Sequence, residues 1–155
     1  IHCRDLIQRH LIMLDAGVEA FWYWNLQSAA VKNPIFGKMR LMDFNGWKKL
    51  PPYYCYQRVI RQIKDIKDIM RVTTADENIY LFKLTMIDGS TKYALWEKRG
   101  LFYGEDQPPT PFEFNIGFDK VKITDVFGNE VIRPVNKRIL FLNITDTPVF
   151  IEKAE

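Results

Sequence analysis

The run 18-VEAFWYWNL-26 restricts the fold more than any other part of the chain, because it is apolar at nearly every position apart from Glu19. A strand with one wet face alternates polar and apolar residues; one that does not alternate is buried on both faces, as in parallel sheets covered by helices. Such a strand needs neighbours for its backbone donors and acceptors, and nothing around it in this chain reads as a parallel partner. The segment that follows, residues 27–50, is long for a structureless connection and is punctuated by Pro34, Gly37 and Gly46. Connections of that length inside compact domains tend to be functional.

The flanks of the run have helical period. Cys3, Leu6, Ile7, His10, Leu11 and Leu14 recur at three and four residue intervals and define one helix face, which Gly17 closes as a C-terminal cap. After the long segment, Pro51 and Pro52 suit the first turn of a second helix. Its apolar stripe is Tyr56, Val59, Ile60, Ile63, Ile66 and Met70. From about residue 71 the period becomes that of strands. The runs 79-IYLFKLTMI-87 and 91-TKYALWE-97 flank 88-DGS-90, a strong hairpin signal. Beyond a Pro-rich interruption at 106-DQPPTP-111 lie 120-KVKITDV-126, a turn at 127-FGN-129, 138-RILFLNI-144 and 148-PVFIE-152. Short strands at even spacing point to an antiparallel sandwich. The expected division is therefore 1–69, helix, buried strand and helix, and 70–155, an all-β module. The fold class is α+β.

Composition removes several classes of function. Twenty-two basic against 19 acidic residues is too balanced for phosphate binding, and the basic residues of 58-RVIRQIKDIKDIMR-71 are interspersed with apolar ones and Asp, as on a solvated helix face. No nucleic acid partner is expected. No apolar run approaches the roughly 20 residues of a membrane span. His2 and His10 stand too far apart on one helix to share a metal, and Cys3 and Cys55 have no metal spacing and no disulfide framework. They read as two buried thiols. No metal or cofactor is expected. Asn143-Ile144-Thr145 fits a glycosylation pattern, but on an apparent strand.

The order of helix, Gly, buried strand ending in Trp24, loop containing Phe36-Gly37, Pro-Tyr helix and β module resembles the C-terminal end of retaining glycoside hydrolases with a (β/α)8 barrel. The phrases that carry the resemblance are the "FWYW" strand and 35-IFGKMRLMDFNGWKKLPPYYCY-56, with 123-ITDVFGNEV-131 and 147-TPVFIE-152 in the following β module. The resemblance implies that residues 1–69 are the last helix–strand–helix part of the barrel and 70–155 a bracing β-sandwich. It implies a carbohydrate partner and the remainder of the parent polypeptide, or another chain, as a second. Barrel active sites lie at the carboxyl ends of the strands, so Trp24 becomes the platform under the sugar and Asn25 a hydrogen-bonding amide beside it. Relatives often carry an acid just after that Trp; here Gln27 and Ser28 stand there.

Retaining hydrolysis needs two carboxyl groups roughly 5 Å apart. In the family these come from earlier strands, upstream of Ile1. Glu19 is at the wrong end of its strand, and Glu97, Glu105 and Glu113 read as solvated, so the chain alone is expected to lack the catalytic pair. The competing expectation is a non-catalytic carbohydrate- or protein-binding β module. A barrel fragment would leave a large apolar surface on residues 1–68 uncovered.

Overall fold

The computed structural model describes residues 2–21, 40–43, 47–100 and 107–155. It is α+β and divides into two compact units, Ile1–Lys64 and Asp65–Glu155.

In the first unit, helix α1 spans His2–Asp15 and helix α2 spans Pro51–Ile63. The α1 stripe falls as its spacing dictates: Leu6, Ile7, His10 and Leu11 are buried. Gly17, at φ +82°, ends the helix; its N–H donates to Leu14 O and that of Val18 to Met13 O. That left-handed residue is one that glycine adopts at no steric cost. Helix α2 starts on Pro51 and Pro52, whose missing N–H groups would have had no helical partner. The helices pack against each other, which brings the Cα atoms of Cys3 and Cys55 to 5.4 Å, and a disulfide joins them. The expectation of two thiols is thus corrected. Their pairing depends on helix packing across 52 residues of sequence, which no local spacing reveals.

The second unit is two antiparallel sheets. The larger has strand order β1-β2-β3-β8-β5-β6, with β1 Ile66–Val72, β2 Ile79–Met86, β3 Thr91–Glu97, β5 Lys120–Thr124, β6 Glu130–Pro134 and β8 Val149–Lys153. The smaller is a ribbon of β4, Thr110–Asn115, and β7, Ile139–Ile144. Ile79, Leu81, Leu95, Val121 and Ile151 of the large sheet form one core with Leu140 and Ile144 of the ribbon, and Phe112 and Phe114 pack against it. Each such side chain, fully buried, contributes about 1.5–3 kcal/mol. On the other face of the large sheet Tyr80, Trp96 and Phe82 stack at successive centroid distances of 5.3 Å, and the Arg71 guanidinium lies 3.8 Å over Tyr80.

Strand β1 replaces the helical continuation that Ile66 and Met70 suggested. A register irregularity between Ile66 and Asp68 places Ile66 opposite Met86 and Ile69 opposite Leu84. Met86 and Leu84 are two apart on one strand, so the bulge lets residues three apart share a face. A helical spacing is thereby satisfied by a strand. Strand β4 starts inside the Pro-rich interruption. Pro111 is tolerated because, among the described residues, β4 pairs only with β7, leaving an edge where a missing donor costs nothing.

A charged ladder crosses the large sheet. Lys122 Nζ lies 2.6 Å and Lys92 Nζ 3.1 Å from the Glu152 carboxylate, and Lys122 reaches Glu130 at 3.6 Å. Burial pushes the Glu152 carboxyl up, but the hydrogen bonds from Lys122 and Lys92 and their charges outweigh it, and the net shift is below the ordinary 4.5. A depressed carboxyl pKa stabilises the folded state above the unfolded value and ceases to do so as pH falls through the folded value. Glu152→Gln should therefore cost about 1 kcal/mol at pH 7, a difference that fades in urea titrations as the pH drops below 4.5. An equal deficit at pH 7 and pH 3 would show that the ladder contributes through packing instead.

Candidate functional site

Trp24 and Asn25 lie outside the described residues, as does the remainder of the run after Phe21. What is described is the framework on either side of them in the chain. Upstream, Phe21 packs on His10 at a centroid distance of 4.8 Å, and His10 on Tyr56 of α2 at 5.5 Å. His10 Nδ1 sits 2.6 Å from Leu6 O. The pairing with a carbonyl assigns the proton to Nδ1. His10 is therefore an anchor that ties both helices to the start of the aromatic run. Among the described residues no group of three His, Cys, Asp or Glu could hold a metal.

Downstream, residues 41–43 and 48–50 form a short antiparallel pairing. Met42 bridges Lys49, Asp43 N–H donates to Lys48 O at 2.8 Å, and Leu50 N–H donates to Leu41 O at 2.9 Å. Leu41, 1% exposed, roots it. Beside it in the chain, Trp47 has a φ of 57° and is 62% exposed. A bulky residue in left-handed backbone is uncommon and clusters at functional positions. The same stretch of chain carries the Arg40–Asp43 ion pair at 3.5 Å and Lys49, whose ammonium lies 4.7 Å over the Tyr53 ring. An exposed indole offers a flat apolar face with a polar edge. Sequence reasoning did not single out Trp47; an aromatic directly after Gly46 in a long connection is the signal that marks it.

Of the carboxylates expected to be solvated, Glu113 is exposed, Glu97 is not, and Glu105 lies outside the described residues. Glu19 is exposed and Glu113 lies on the outer face of the ribbon. Glu97 is not solvated. Its Oε2 accepts from Arg99 Nε at 2.7 Å and from the Thr110 hydroxyl at 2.8 Å. The Arg99 side chain is 3% exposed and donates also to Gln107 O, Pro108 O and Ile144 O. This pair fastens β3 to both strands of the ribbon.

No protein-family model matches the chain, and no curated protein matches it in sequence. Among solved structures it is similar to a family 39 glycoside hydrolase from the gut symbiont Bacteroides cellulosilyticus WH2, with a TM-score of 0.72 and 18% identity. The likeness covers 98% of this chain and 30% of that one, so the chain spans under a third of its structural neighbour. At this identity the shared property is the fold.

Proposed function

We propose that the chain is the C-terminal part of a glycoside hydrolase. In this reading residues 1–69 complete a (β/α)8 barrel, and 70–155 brace it as a β-sandwich. The observation that carries the proposal is the fold likeness over 98% of the chain to a glycoside hydrolase. A second supports it: Ile12, Met13, Tyr54 and Ile60 of the two helices are each more than 40% exposed, which suits elements that pack on further barrel strands. Trp24 stacks on the sugar and Asn25 holds a hydroxyl. Trp47 stands on the connection after that strand, and in a barrel such βα connections form the active-site face. The carboxylate pair comes from the rest of the polypeptide, and this chain alone hydrolyses nothing.

The test is hydrolysis of aryl glycosides by the full-length gene product. Trp24→Ala should lower kcat/KM by on the order of 100-fold and Asn25→Ala by roughly tenfold, while Trp47→Ala should act mainly through KM. A full-length product without glycosidase activity, or a Trp24→Ala variant with unchanged kinetics, would overturn the reading.

One observation favours the second reading, a stand-alone carbohydrate-binding module. On the outer face of the ribbon Phe141 is 65% exposed, with Glu113 directly across from it and Asn115 and Asn143 also exposed. If this is the sugar surface, Phe141→Ala abolishes retention on insoluble polysaccharide and Trp24→Ala does not.

A further inference from the structure

The second unit holds a cavity of about 230 Å³. Its apolar lining is aliphatic, including Ile123, Val131, Leu142 and Val149, and its polar groups include Arg133 and Asn143. Among the described residues its lining carries no aromatic ring, so they offer no stacking platform for a sugar. Two of its walls are strand edges. Strand β6 ends the large sheet and β7 ends the ribbon, so among the described residues neither has a strand on its cavity side.

Register fixes which side chains face in. Val131 pairs with Ile123 and Arg133 with Val121; Val121 belongs to the core between the sheets and Ile123 packs against it. Cross-strand partners point the same way. Val131 and Arg133 therefore stand two residues apart on the inward face of β6, one apolar and one cationic. Arg133 is the single charged residue of the lining and makes no ion pair among the described residues. Glu130 on the same strand points to the opposite face, where it meets Lys122.

We propose that this cleft binds an extended peptide segment of a partner protein, in which an acidic side chain stands two residues from an aliphatic one. The segment adds to the β6 edge, its aliphatic side chain meeting Val131 and its carboxylate meeting Arg133. Backbone pairing supplies affinity and the alternate side chains supply selection, as in strand addition generally. The proposal is independent of the sugar site.

The probe is fluorescein-labelled Thr-Val-Thr-Glu-Thr-Val-Thr-amide, followed by anisotropy with the whole chain at low salt. Saturable binding is expected, roughly tenfold weaker when Gln replaces Glu. A peptide with Glu exchanged for the Thr before it, which turns the carboxylate to the other face, should bind as weakly as the Gln peptide. Arg133→Gln should erase the preference for Glu over Gln without changing Tm, and peptide should raise amide protection in β6. Equal binding of the Glu and Gln peptides, an unchanged preference in Arg133→Gln, or protection confined to β1 would each overturn the proposal. So would sedimentation showing that β6 pairs with a second copy of this chain.

Discussion

Replacing Arg99 with alanine is expected to cost the sandwich about 3–5 kcal/mol, which is what removing one partner of a buried ion pair typically costs. The size follows from what is left behind. Glu97, with its side chain 17% exposed, loses a cation that sits 2.7 Å from its carboxylate, and the carbonyls of Gln107, Pro108 and Ile144 lose their donor. An isolated carboxylate in such a place either loses its charge or draws water in, and both loosen the join between β3 and the ribbon. Tm should fall by roughly 20 °C. Arg99→Lys should recover little, because one ammonium cannot reproduce a planar fork that meets a carboxylate and three carbonyls. The paired variant Glu97→Met with Arg99→Met should recover part of the loss, since it removes both charges together. An Arg99→Ala protein that melts with the parent would show that the pair contributes nothing net.

The same residues explain why some of the fold was legible in the sequence and some was not. Helix α1 was legible because its burial stripe and its capping glycine are both local. The β2–β3 hairpin was legible because Asp88-Gly89 demands a tight turn between two apolar runs. Strand β1 was not: its bulge lets Ile66 and Ile69 imitate a helical period. Strands β4 and β6 were obscured by what suits them to be edges, Pro111 in one and full exposure along the other. Glu97 looked solvated because its partner is determined by where β3 meets the ribbon, a tertiary fact. For the candidate site, the aromatic run drew attention by composition alone, whereas a role for Trp24 and Asn25 rested on family resemblance. Trp47 became visible only through its backbone conformation and exposure.

Reducing the Cys3–Cys55 disulfide should destabilise the first unit by about 4 kcal/mol, the chain-entropy value for a loop closed across 52 residues. That loop holds Trp24, Asn25 and Trp47, so the effect reaches the proposed sugar site as well as the helices. With dithiothreitol, the helical circular dichroism should melt earlier and proteolysis should concentrate between residues 17 and 50, while the β sandwich keeps its own transition. Cys3→Ser with Cys55→Ser should reproduce the reduced protein. Because such bonds persist only in oxidising surroundings, production in a reducing cytosol should yield a less stable first unit. Alkylation of the unreduced, denatured protein decides the premise. Mass added at neither cysteine supports the bond, and mass added at both would return Cys3 and Cys55 to thiols and remove this source of stability.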